Sequence, residues 1–215
     1  MMHKAELKIS VFSDYICPFC YIGHHRLQQL KQDYDLKINW CFVEIHPQTP
    51  VQGMPTTELD YSDQQWQGIV NSLNTLIEQD QLPFKHEHQF TTNSHKALLL
   101  AEACKPLGAD TFYQLHNRLF EAFFVDMLNI GDDTVLKQIA EECKLPAGII
   151  EQALSNDSEL EKHLALYLQY AEKVQLSGVP TIIIGNQTLP GVSSVSTLKK
   201  AAEKSLNQSK NGAMI

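Results

Sequence analysis

Hydrophobic and polar residues alternate at the start of the chain. Leu7, Ile9 and Val11 are separated by Lys8 and Ser10, the period of a strand with one buried face. The period then lengthens: Ile22, Leu27 and Leu30 stand among Arg26, Gln28, Gln29 and Lys31, as on an amphipathic helix. Alternation returns where Leu36, Ile38, Trp40 and Phe42 are spaced by Lys37, Asn39 and Cys41. Strand, helix, strand predicts a βαβ unit with its second strand parallel to the first. Pro47, Pro50, Gly53 and Pro55 then break regular structure and mark a boundary.

From about Tyr61 to Leu176 the spacing is helical throughout. The stripes are Ala97, Leu100, Ala101, Cys104; Phe112, Leu115, Leu119, Phe123; Val135, Ile139, Ala140, Cys143; and Leu160, Leu164, Tyr167, Ala171, Val174. Asp132 or Asp133 is placed to cap the third, and Gly178 to close the last. The β-branched run Thr181 to Ile184 predicts a strand, paired across Gly185-Asn186 with Gln187 to Leu189 as a hairpin. A final helix from about Val195 to Leu206 precedes a polar, frayed tail. The whole reads as a mixed α/β sheet, βαβ before a helical block and ββα after it, so the two ends of the chain meet in space beneath that block.

Between the first strand and helix lies Cys17-Pro18-Phe19-Cys20. Pro18 falls at the first helical position, where its missing N–H costs nothing, and Cys17 becomes the N-cap. Unpaired N–H groups and the macrodipole at that end favour negative charge, so a Cys17 thiolate is expected to be stabilised. Cys20, one turn inside, is nearer the core and suited to resolve a mixed disulfide at Cys17. A C-x-x-C beside a strand-helix pattern fits a redox pair better than an inert disulfide or half a zinc site. At the far end, Ser177-Gly178-Val179-Pro180-Thr181 opens a buried strand; a proline there needs no ladder donor, and its peptide bond can be trans or cis.

Ser13-Asp14-Tyr15-Ile16-Cys17-Pro18-Phe19-Cys20-Tyr21-Ile22-Gly23 together with Gly178-Val179-Pro180-Thr181 resembles the thioredoxin superfamily, and within it the DsbA-like branch of the FrnE type, dithiol-disulfide oxidoreductases or isomerases. Weaker echoes occur at Thr92 to Ala97, Leu119 to Phe124 and Asp132 to Leu136. The resemblance implies an α/β, thioredoxin-like fold (βαβ…ββα) with a large all-helical insertion. Its N-terminal part would be 5–58, the insertion 59–176, the C-terminal part 177–207 and a flexible tail 208–215. It implies Cys17 as nucleophile, Cys20 as resolving cysteine and Pro180 as a cis-proline. Pro18, Phe19, Val179, Thr181 and His95 would line the substrate cleft. Phe19 stands where tryptophan is more usual, and His24-His25 replace a more basic pair.

The charge of −8 over 215 residues, with no basic patch, argues against a nucleic-acid partner. No run of 18 apolar residues argues for a membrane span. The first residues lead into the strand with no apolar leader pattern, and five cysteines suit a reducing compartment, so a cytoplasmic location is expected. Cys41, Cys104 and Cys143 lie on apolar stripes and are expected to behave as small hydrophobes. His24 and His25 are expected at the surface. His86-Glu87-His88 matches no metal-ligand spacing, and no metal is expected. Glu44, at the end of the second strand, is a candidate proton acceptor for Cys20.

The expected activity is exchange with protein or small-molecule disulfides and dithiols, with no cofactor beyond glutathione as a redox partner. The alternative is a glutathione-dependent transferase or isomerase of the kappa and 2-hydroxychromene-2-carboxylate isomerase group. Against that stands Cys17, since the group typically carries serine at the first motif position.

Overall fold

The computed structural model describes residues 4–85, 89–155 and 157–212. In chain order the elements are β1 (Ala5–Ser13), α1 (Pro18–Gln28), β2 (Tyr34–Phe42), β3 (Met54–Pro55), α2 (Asp63–Asp80), β4 (Phe90–Thr91), α3 (His95–Cys104), α4 (Ala109–Phe124), α5 (Asp133–Glu142), α6 (Ala147–Leu154), α7 (Ser158–Lys173), β5 (Thr181–Ile184), β6 (Gln187–Pro190) and α8 (Val195–Gly212). Parallel β1 and β2 place Val11 opposite Trp40 and Ser13 opposite Phe42. On its other edge β1 pairs antiparallel with β5, and β5 with β6, giving the order β2-β1-β5-β6.

The alternation along β1 sorts side chains between two layers. Leu7, Ile9 and Val11 join Ile22 and Leu27 of α1 and Leu198, Ala201 and Ala202 of α8 in one core. Phe12, Cys41 and Ile183 face the other way, against Tyr167, Tyr170 and Ala171 of α7. Each fully buried Leu or Ile contributes about 1.5–3 kcal/mol relative to exposure, so a one-residue slip of β1 would forfeit several such terms at once.

Three expectations need correction. The stretch from Tyr61 to Leu176 is not helical throughout, because Phe90–Thr91 forms β4 and pairs with β3, Met54 opposite Thr91; two residues are too few to show a period. The last stripe closes at Gln175, not Gly178. Gln175 takes the left-handed conformation at φ 52, with its N–H bonded to Glu172 O at 3.0 Å and that of Leu176 to Ala171 O at 2.9 Å. The final helix does not end near Leu206 but continues to Gly212, because helical backbone bonds carry it past the last apolar position of the stripe. His86-Glu87-His88 and residues 213–215 lie outside the described residues.

Candidate active site

The turn from Ser13 to Ile16 delivers Cys17 to the N-cap of α1, in an extended conformation (φ −88, ψ 112) with Pro18 next. The Cys17 carbonyl accepts from Cys20 N at 3.0 Å and Tyr21 N at 3.3 Å, while its side chain makes no capping bond to the helix. That sulfur points instead to the other end of the chain: the Cys17 thiol donates to the Val179 carbonyl, Sγ to O 3.6 Å. The Val179–Pro180 peptide is cis. Gly23 lets α1 approach this segment, since a Cβ there would lie 3.3 Å from Pro180 Cγ. Cys17 and Cys20 are both free thiols, 4 % and 2 % exposed. Access to the Cys17 sulfur is therefore narrower than the sequence suggests.

The lining residues expected from sequence divide. Pro18, Phe19 and Val179 are half-buried beside the sulfur. Thr181 is 1 % exposed and donates its hydroxyl to Gly178 O at 2.7 Å, so it shapes the segment from inside and offers no side-chain contact to a substrate. Burial first, then the bond and charge of Cys17, push the Cys20 thiol well up, while a bond from the Asp14 backbone and one with the Ser13 side chain oppose the rise.

Asp14, which the sequence presents as a mere turn residue, is 1 % exposed. Its carboxylate accepts from Ile45 N at 2.8 Å and Ile16 N at 3.3 Å, and its carbonyl accepts from Cys17 N at 3.3 Å. Burial raises its pKa to about 6; the bonds to Ile45, Ser94 and Ile16 hold it from going higher. Next to it, Glu44 is not free to serve Cys20. Its Oε1 lies 2.7 Å from His95 Nδ1, and Glu161 Oε1 lies 2.8 Å from His95 Nε2. The Glu44 bond, with help from Glu161 and against burial, pushes His95 up to about 9, a cation between two carboxylates. Neither ring nitrogen of His95 is left for a substrate.

His24 is a further correction. It is 4 % exposed, with Nε2 2.8 Å from Asn117 Oδ1, and burial lowers it to about 3; His25 is half-buried. His24 packs 4.7 Å from His116, whose Nδ1 is hydrogen-bonded to the Tyr15 hydroxyl at 2.7 Å in a site closed to solvent. Tyr61 is the other residue that sequence reasoning passed over: it is 39 % exposed, and burial followed by the charge of Cys17 raises its phenol. Its signal in the sequence was an aromatic residue in the short stretch between the proline-broken segment and α2. A groove of about 1080 Å3 along Lys8, Ser10, Lys37, Asn39 and Ile183 includes none of the expected site residues.

The model of the DSBA-like thioredoxin domain matches residues 8–203. The chain belongs to that family. A curated relative in Bacillus subtilis, the uncharacterized protein YwbO, is 27% identical over 195 residues, 90% of this chain and 94% of its own. Among solved structures, a "probable DsbA oxidoreductase" of Streptomyces coelicolor, SCO1869, superposes with a TM-score of 0.81 at 16% identity, over 94% of this chain and 90% of that one. A 2-hydroxychromene-2-carboxylate isomerase superposes with a TM-score of 0.69 at 16% identity, covering 95% and 98%. These likenesses establish a thioredoxin-like DsbA fold of mixed helix and sheet. In this DSBA-like domain, both the C-x-x-C turn and the Val179–Pro180 segment fall inside the matched residues.

Proposed function

We propose that the protein is a thiol–disulfide oxidoreductase or isomerase in which Cys17 is the nucleophile and Cys20 resolves. The observation that carries this is the Cys17 sulfur at the N-cap of α1, beside Cys20 and 3.6 Å from the Val179 carbonyl. In the reducing direction the Cys17 thiolate attacks one sulfur of a substrate disulfide. The substrate S–S bond breaks, a Cys17–substrate disulfide forms, and the departing thiolate takes up a proton. Cys20 then loses its proton and attacks Cys17, releasing the second substrate thiol and leaving a Cys17–Cys20 disulfide. Two electrons pass from the pair to the substrate, so no resident cofactor is needed; run backwards, the same steps oxidise a dithiol. Val179 and Pro180 would flank the substrate backbone, with Pro18 and Phe19 opposite. An odd number of cysteines, five with three outside the C-x-x-C pair, favours a cytoplasmic setting.

The likeness to the isomerase structure supports a second reading, glutathione-dependent transfer or isomerisation. Insulin reduction together with equilibration in glutathione redox buffers separates the two. Cys17→Ser is expected to lose turnover entirely, and Cys20→Ser to accumulate mixed disulfides visible by mass spectrometry. Full activity in Cys17→Ser would reject the exchange mechanism in favour of the second reading.

A further inference from the structure

The Glu44–His95–Glu161 bridge sits against the turn that ends in Cys17. Val43 N donates to Ser13 O at 3.1 Å and Ile45 N to the Asp14 carboxylate at 2.8 Å, so Glu44 is held between two residues bonded to that turn. The bridge ties the end of β2 to the first residue of α3 and to α7, and its side chains are 21 %, 28 % and 38 % exposed from Glu44 through His95 to Glu161. One imidazolium between two carboxylates leaves one negative charge over, and Asp14 adds another.

Nearby cations do not restore the balance. Lys96 is tied to Asp133 at 2.6 Å, Lys162 to Glu159 at 2.5 Å, and Arg26 to Asp80 at 2.6 Å. Lys105 is held by Glu102, Trp40 O and Tyr167. Pro18, Phe19 and the stretch from Gln175 to Thr181 carry no ionisable side chain. On the turn from Ser13 to Ile16, at Pro18 and Phe19 and from Gln175 to Thr181, an anion arriving at Cys17 meets the Asp14 carboxylate and no cation. The chain as a whole, at −8, adds to the repulsion.

We propose that this charge arrangement makes the Cys17 site select disulfides bearing positive charge beside the scissile bond over anionic ones, oxidised glutathione included. The inference rests on the exchange activity proposed for Cys17. Charge on the substrate leaves the chemistry of the step unaltered: the same S–S bond breaks and the same mixed disulfide forms. It changes the free energy of bringing the reacting sulfurs together, and so the second-order rate constant.

The test uses the reduced full-length protein at pH 7 with three small disulfides: cystamine (cationic), hydroxyethyl disulfide (neutral) and oxidised glutathione (anionic). Each rate constant is divided by that of dithiothreitol with the same disulfide, which removes intrinsic differences in leaving group. At low ionic strength the normalised rate is expected to be about 10-fold higher for cystamine than for oxidised glutathione, shrinking to roughly 2-fold in 0.5 M salt. Glu44→Gln and Glu161→Gln should each lower the low-salt ratio. Equal normalised rates, or a preference for glutathione, would overturn the selectivity and leave the exchange activity standing. A ratio unchanged in both folded variants would overturn the role of the bridge. Three disulfides all inert toward Cys17 would sink the exchange activity and the selectivity together.

Discussion

Two histidines flank the Cys17 turn and hold it by opposite means. His95 stands half-open between Glu44 and Glu161, and their carboxylates hold it protonated, its pKa about 9. His116 lies in the core, 4.2 Å from Trp40 and 5.1 Å from Phe120 by ring centres, and burial with the charges of His24, Lys105 and Lys31 drives it well below the ordinary value. Burial acts on both; what separates them is whether a carboxylate is within reach. On the charged side the turn is tied through Asp14 and Ile45. On the neutral side Tyr15, two residues before Cys17, is hydrogen-bonded through its hydroxyl to His116. The helical elements thus help to build the Cys17 turn from two directions.

The neutral side should be the more costly to break. His116→Ala removes a buried ring and strands the Tyr15 hydroxyl, an expected loss of about 3 kcal/mol in urea unfolding. Tyr15→Phe removes only the hydroxyl and leaves Nδ1 unpaired, for about 2 kcal/mol by the same measurement. If Tyr15→Phe proved the costlier of the two, the hydrogen bond and not the packing would dominate that side.

The charged side should yield less, and in a way that depends on pH. The His95 pKa is raised from 6.5, so its stabilisation is complete below about pH 6.5 and lost as pH climbs through about 9. With a side chain 28 % exposed the pair is partly screened, and His95→Gln is expected to cost about 1 kcal/mol at pH 6 and almost nothing at pH 10. A difference that stayed constant across that range would mean that the bridge contributes by packing alone.

Much of the sheet was legible because its signals are local. Period-two alternation marked β1 and β2, and Gly185-Asn186 marked the hairpin that joins Ile184 to Gln187. The Cys-Pro-Phe-Cys turn carried its own cap and first-turn proline. What stayed hidden depends on partners remote in sequence. Asp14 is buried only because Ile45 and Ser94 answer its carboxylate, and His24 only because Asn117 waits on α4. Glu44 looked like a free acid because nothing near it in sequence announces His95 or Glu161. Thr181, which the resemblance places along the cleft, turns its hydroxyl back to Gly178, a partner three residues away that composition does not mark.

Gly23 joins matters that the chain keeps far apart. A hypothetical methyl group there would lie 3.3 Å from the Pro180 ring, so α1 and the distal proline are seated closely against each other. The spacing between α1 and the segment that faces the Cys17 sulfur is therefore set by the smallest side chain in the protein.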